Sequence, residues 1–413
     1  MYKSNDMRTF IIVFFLVFLF SCEETVVEPV SMREDVTILA SDSLLGREAG
    51  TDGERLAAEY LAKRFEDLGL LPKGNEGYYQ KFSFKKSTNP HERDALVDSI
   101  SEGMAQAMNV VGYLDNKAEN TVVIGAHFDH LGMGGEGSLY REGVEIHNGA
   151  DDNASGVSTM LSMVYRLQEA NKSNNYLIIA FSGEEKGLLG SNYFVKNPSI
   201  DLENVSYMIN MDMVGRLNEE KAVAVHGVGT SPIFKQTLYA NNEGFTLAEH
   251  ESGVGPSDHT SFYLNDIPVL HFFTGQHEDY HKPSDDSDKL NYEGMQEVSD
   301  FIFRIITDLD NDGKLEFRKT KNENESTPDF KVTLGVVPDY LFTGEGMRLD
   351  GISEDKPAQR AGMQKGDIVV KMGEHEVTDM MSYMKSLSMF EKGQTTMVTI
   401  DRGGELMELE VTF

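Results

Sequence analysis

Between Gly53 and Leu70 the apolar positions Leu56, Tyr60, Leu61, Phe65 and Leu68 recur at helical spacing, with charged residues between them. That pattern predicts a helix with one buried face. The stretches that follow behave differently. Asn109–Leu114, Asn120–Asp129, Asn175–Gly183 and Val205–Gly215 are nearly continuous apolar runs of strand length, and Lys221–Gly227 and Ile267–Gly275 read the same way. Helical periodicity returns over Val157–Ala170 and Gly294–Leu309. Strands that alternate with helices and are apolar throughout predict an α/β unit whose parallel or mixed sheet is covered on both faces. In such sheets ligands bind beyond the carboxyl ends of the strands. His127, Glu184, Glu185 and Asp212 each fall at or just past such an end.

The texture changes at both ends of this unit. After Asp308 the sequence "DLDNDGKLEFRKTKNENESTPD" is polar and poor in aliphatic residues, which predicts a linker over 310–329. Residues 330–413 then form a separate small domain of short strands. At the other end Lys3 and Arg8 precede an apolar run from Phe10 to Phe20. That run is too short to span a bilayer and reads as a secretory signal over 1–21. The following "LFSC" resembles a bacterial lipobox, in which the cysteine, here Cys22, is lipidated. Residues 22–35 would then be a tether, leaving 36–309 for the α/β domain. An uncleaved anchor is the other reading. Both imply an exported chain held at a bacterial membrane, on its periplasmic or cell-surface face.

Composition narrows the chemistry. The formal charge of −31 over 413 residues speaks against a nucleic-acid partner, which needs clustered Lys and Arg. Cys22 is the one cysteine, so disulfides and thiolate zinc sites are excluded. The donors that remain are oxygen and nitrogen. In "GAHFDH", His127 is a metal ligand or a hydrogen-bonded buried histidine, and Asp129 is placed to fix its tautomer. "GADD" (149–152) offers a carboxylate for bridging two cations, and "GEE" (183–185) offers one ligand and one free base. Asp212 is an acid inside an apolar run, where an unpaired charge is costly. His281 lies in "DYHKPSD". Together these donors suit a zinc-type centre. The adjacent Ser257, Asp258 and His259 look like a hydrolase triad, but triads are built by geometry rather than adjacency. His259 reads better as a residue of the pocket or of the surroundings of the ligands.

The order His-x-Asp, Ala-Asp-Asp, Glu-Glu, Met-Asp and a late His resembles the family-28 zinc metallopeptidases, the aminopeptidase Y-like group. "GREAGTDGERLAAEYLAKRFEDLGL" and "GPSDHTSFYLNDIPVLHF" extend the resemblance over Val36–Leu309. It implies a three-layer α/β/α sandwich with a mixed central sheet, and two zinc ions per chain. By the same resemblance Asp151 bridges the ions, with His127 and Asp212 at one and Glu185 and His281 at the other. Glu184 is the general base, Asp129 orients His127, and the peptide bond from Asp151 to Asp152 is cis. The implied activity is removal of N-terminal residues from peptides with a free amino terminus. A carboxypeptidase, a glutaminyl cyclase-like enzyme of the same fold and a non-catalytic peptide-binding scaffold are the alternatives.

In the C-terminal region "TLGVVPDY" and "KPAQRAGMQKGDIVVKMG" resemble a bacterial PDZ domain. The resemblance implies that Leu334–Val336 presents backbone N–H groups to a peptide carboxylate beside an edge strand that accepts an added strand. A domain that only packs on the catalytic unit or mediates assembly is the other reading.

Overall fold

The apolar runs assemble into one ten-stranded sheet. The computed structural model describes residues 31–86, 94–97, 104–135, 137–170, 172–320, 331–339, 341–342, 344–353 and 355–413. The signal segment, Cys22, the tether up to residue 30 and residues 321–329 of the expected linker lie outside them. In chain order the strands are β1 (Leu71–Pro72), β2 (Tyr79–Lys85), β3 (Ala95–Val97), β4 (Met104–Leu114), β5 (Asn120–His127), β6 (Asn174–Phe181), β7 (Val205–Met211), β8 (Ala222–His226), β9 (Thr246–His250) and β10 (Val269–Phe273). Their spatial order is β3-β2-β4-β6-β5-β7-β10-β8-β9, with β1 on β4. The middle strands β6, β5, β7 and β10 run parallel, whereas β4 and β8 run antiparallel to their inner neighbours. The sheet is therefore mixed.

Among the described residues seven α-helices cover it: α1 (Met32–Leu39), α2 (Asp52–Asp67), α3 (Gly156–Ala170), α4 (Leu189–Lys196), α5 (Phe234–Asn241), α6 (His259–Tyr263) and α7 (Tyr292–Asp308). Successive strand residues point to opposite faces, and both faces are buried here. Ile124, Ile178 and Ile209 pack with Leu61, Met160 and Phe301 of α2, α3 and α7. Their neighbours Val123, Leu177 and Met208 pack with Phe194 of α4 and Phe262 of α6. This is a three-layer α/β/α sandwich. Burying each such side chain contributes about 1.5–3 kcal/mol, so double coverage explains why these strands are apolar throughout.

The polar stretch after α7 does not behave as a linker from its start. Leu315 enters the main core, and Phe317 packs against the opposite one. Arg318 N donates to Thr230 O at 2.8 Å and Thr320 N to the Tyr263 hydroxyl at 3.1 Å. Residues up to 320 thus wrap back over the large domain.

The C-terminal unit has its own antiparallel sheet, β11 (Val336–Pro338), β12 (Met347–Ile352), β13 (Ile368–Met372), β14 (His375–Glu376), β15 (Thr395–Arg402) and β16 (Glu405–Thr412), in the order β11-β12-β13-β15-β16 with β14 on β13. Two helices, α8 (Pro357–Arg360) and α9 (Met380–Ser388), complete it. Leu334, Leu349, Val369, Val398 and Ile400 form a core separate from the large one. In the expected carboxylate loop, Gly335 N–H is already donated to Thr333 Oγ1 at 3.0 Å. No helix among the described residues is long and apolar enough to cross a membrane.

Candidate metal centre

Strands β5, β6 and β7 are parallel neighbours, so their carboxyl ends share one edge of the sheet. The chain leaves β5 to form β6 on one side and returns to form β7 on the other, which is the strand-order reversal where open α/β sheets bind ligands. His127 ends β5, Glu184 and Glu185 follow β6, and Asp212 follows β7. His281 comes from the loop before α7, at φ 54°. The fifth position is corrected by the structure. Asp152, not Asp151, reaches this edge.

The two carboxylates of the pair point apart. Asp152 Oδ1 lies 3.3 Å from His127 Nε2, and its Oδ2 lies 3.2 Å from His281 Nε2. On the first side Asp212 Oδ1 is also 3.3 Å from His127 Nε2. On the second, Glu185 Oε2 is 3.4 Å from His281 Nε2. Asp151 instead accepts from Gly215 N at 2.7 Å through Oδ1 and faces His277 Nε2 at 3.1 Å through Oδ2. The cis peptide bond likewise stands one residue later than expected, between Asp152 and Asn153.

A tight frame holds Asp152. Asp285 Oδ2 accepts from Asp151 N at 2.9 Å and Asp152 N at 3.1 Å. Asn153 donates to Met211 O at 3.0 Å and accepts from Met213 N at 3.1 Å, which ties the loop to the end of β7. Arg47 is wholly buried and donates to the carbonyls of Leu39, Phe128, Asn148 and Gly149. Its guanidinium clamps the loop between β5 and α3, and burial brings its pKa down to about 10. Arg47, Asp285 and Asn153 were not singled out by the sequence. Arg47 lies within the "GREAGT" stretch, Asp285 closes "DYHKPSD" and Asn153 follows "GADD", each beside a residue that drew the attention instead.

Asp129 reaches His127 less directly than expected. His127 Nδ1 is 3.2 Å from the Asp129 backbone carbonyl, and the carboxylate Oδ1 is 3.7 Å away. That carboxylate accepts the Glu184 backbone N–H at 3.1 Å. His130, for which the sequence suggested no role, sets Nδ1 2.8 Å from Glu185 Oε1 and 3.8 Å from Asp152 Oδ2. The adjacency His-x-Asp-His was the one signal that pointed to it. His259 is fully buried and stacks on His271 with ring centroids 4.4 Å apart. Ser257 Oγ is engaged by Asn210 Nδ2 at 2.8 Å, so the adjacent Ser, Asp and His form no triad.

These residues fit a pair of metal ions. Two groups, His127–Asp152–Asp212 and His130–Asp152–Glu185, each bring their donor atoms within 4.8 Å of one another. Spacings of 3.3 Å also match the edge of a tetrahedron with zinc–ligand bonds of roughly 2.0–2.1 Å. Four acids crowd a buried site, and such charge needs a cation. Their environments pull them apart. Burial would raise Asp152, but His130, His127 and His281 hold it well below the carboxylate range. Burial pushes Glu184 well above that range, with Asp212 and Glu185 adding to the shift and His127 opposing it.

Residues 109–306 match Peptidase family M28 and residues 318–413 match the PDZ domain. The chain is 28% identical over 229 residues to a probable leucine aminopeptidase of Trichophyton verrucosum, covering 49% of this chain and 58% of that protein. It spans about half the length of the curated relatives it matches. Among solved structures, an aminopeptidase from Aneurinibacillus sp. strain AM-1 superposes with a TM-score of 0.54 at 17% identity, covering 72% of this chain and 97% of that one. A glutaminyl cyclase of Bacteroides thetaiotaomicron does so at 0.52 and 18%, covering 67% and 96%. At these identities the two structures establish the fold alone. With the sandwich, the donor cluster and the small antiparallel unit in place, the chain carries a peptidase family M28 domain followed by a PDZ domain.

Proposed function

We propose that this protein is an exported zinc aminopeptidase that binds two ions, one at His127, Asp152 and Asp212 and the other at Asp152, Glu185 and His281. The observation that carries the reading is the Asp152 carboxylate, whose two oxygens face two separate donor sets while Glu184 stands beside them as an acid bound to neither. When bound, the metal pair supplies Lewis acidity for a water and for the scissile carbonyl. The protein does the rest. Glu184 takes the proton of the attacking water and passes it to the leaving amine. Its backbone N–H is held by Asp129 Oδ1 at 3.1 Å, which ties the carboxyl end of β6 to that of β5. Buried Arg47 and Asp285 keep the bridging aspartate in place before substrate arrives. A free amino terminus suits the acid-rich edge, which supports an aminopeptidase over a carboxypeptidase.

Glu184→Gln should lower turnover of leucine p-nitroanilide by roughly 10²–10⁴-fold while leaving two zinc ions per chain. Retained turnover would remove Glu184 from the role of base. Acetylating the amino terminus of a peptide substrate should abolish cleavage. Release of C-terminal residues, or ring closure of N-terminal glutamine with a single ion bound, would move the function to the carboxypeptidase or the cyclase. The export reading rests on Lys3, Arg8, the Phe10–Phe20 run and Cys22. Cys22→Ser should shift the protein from the membrane to the soluble fraction, and persistence at the membrane would exclude lipidation as the anchor.

A further inference from the structure

The seam between the two domains lies beside the metal centre. Leu341 of the PDZ domain packs with Tyr280 against Met213 and Phe273 of the peptidase domain. Gly275 lies so close that a Cβ there would meet Leu341 Cδ1 at 2.7 Å. Tyr280 in turn stacks on His281, with ring centroids 3.8 Å apart. Beside this contact runs a cleft of about 370 Å³ with Arg141, Tyr280 and Lys282 on one wall and Val337, Ile352 and Lys365 of the PDZ domain on the other. The volume is in the range of small-ligand sites. The PDZ wall is the β11–β12 face, and no residue of α9 lines the cleft.

We infer that this cleft is the channel for the substrate's leaving side, and that the PDZ domain is its outer wall. The inference rests on the aminopeptidase reading. An aminopeptidase holds one residue on the amino side of the scissile bond, and the cleft adjoins the centre through His277 and Tyr280, which touch Asp151 and His281, so it is placed to carry the residues beyond that bond. Charge agrees with this occupant. In a chain of net charge −31, the cleft sets Arg141, Lys282 and Lys365 against Glu278 and Asp350, a small positive surplus in an acidic protein. Lys365 is held by Asp350 at 2.9 Å, and Lys282 Nζ donates to Glu278 O at 2.7 Å. Arg141 is exposed and free to meet a peptide carboxylate, from either the C-terminus or an acidic side chain.

The test uses the full-length, zinc-loaded protein. The quantity read is the ratio of kcat/KM for Leu-Gly-Gly-Asp to that for leucine p-nitroanilide. Arg141→Glu and Lys365→Glu, one on each wall, should each lower the ratio at least fivefold, and the pair at least twentyfold. Lys392→Glu, at an exposed position outside the cleft's lining, should leave it unchanged. Amidating the peptide's C-terminus and replacing its Asp with Asn, separately, identify which carboxylate is read. An unchanged ratio in both wall variants, or an equal change in Lys392→Glu, overturns the inference. Binding of a fluorescent Leu-Gly-Gly-Asp-Lys peptide to zinc-loaded Glu184→Gln protein reads the cleft without turnover. If the chain cleaves nothing, the aminopeptidase reading fails on its own. The cleft then stands as a peptide-binding site walled by the PDZ domain if the wall changes weaken binding at least fivefold, and falls if they do not or if the peptide does not bind.

Discussion

Asp151 and Asp152 share a side chain and differ in what their backbone lets them face. Asp151 is spent on Gly215 N and His277, whereas Asp152 is turned toward His127 and His281. Asp152→Asn should therefore reduce bound zinc below two per chain and lower kcat/KM by at least 10³-fold. Asp151→Asn keeps an oxygen for Gly215 N and should retain both ions with a smaller loss. Equal metal loss in both would undo the distinction, and metal analysis of the two purified variants decides it. A second residue makes a pH prediction. Glu54 accepts from Gly50 N, Met108 N and Ser182 Oγ, yet burial pushes its carboxyl up to about 7. The folded state then holds its proton after the unfolded chain, at an ordinary value of 4.5, has released it. Between those values the unfolded state binds fewer protons, so stability falls as pH rises from about 4.5 to about 7, by up to about 3 kcal/mol. Glu54→Gln should flatten that part of the profile. Denaturant melts of both proteins at pH 4.5, 5.5, 6.5 and 7.5 give the difference in slope, and parallel profiles would exclude Glu54 as its source.

At the scale of elements, the site depends on how closely the loop before α3 lies against the end of β7. Gly156 opens α3, and a Cβ there would stand 2.4 Å from Asn153 Oδ1 and 2.6 Å from Met211 O. Gly156→Ala must push apart the contacts that hold Asp152, at a cost of about 1–3 kcal/mol. Zinc affinity should fall with it, and a titration with a competing chelator would show the loss. Unchanged affinity would mean the loop absorbs the methyl group elsewhere. The same elements explain what could be read from the sequence. Strands β5, β6 and β7 are buried on both faces, so their apolar runs announced them and their ends announced His127, Glu184, Glu185 and Asp212. The short edge strands β1, β3 and β9 bury little and left no comparable pattern. Two adjacent aspartates in one loop carry no periodicity that ranks them, and only side-chain partners from distant segments do so, Gly215 and His277 for Asp151 and His127 and His281 for Asp152. The polar composition of 310–320 hid Leu315 and Phe317, two side chains that attach the segment to the large domain.

Among the described residues each domain has a hydrophobic core of its own, joined at the seam by a few side chains. The large domain packs one cluster on each face of the ten-stranded sheet, and the small domain's is built around Leu349, Val369 and Val398. A chain of this kind departs from a single two-state transition. Calorimetry should resolve two, and each should answer to a different perturbation. Metal held by the folded large domain alone would stabilise that domain by about 2.7 kcal/mol at a free concentration one hundred times Kd. Removing zinc should lower the large domain's transition and leave the small one in place. Leu349→Ala, in a fully packed site, should do the reverse, lowering the small transition by about 2–5 kcal/mol. If zinc removal moved both together, the seam at Leu341, Gly275 and Tyr280 would be a stronger link than its few side chains suggest. The PDZ domain would then be part of the catalytic unit's stability as well as a wall of its cleft.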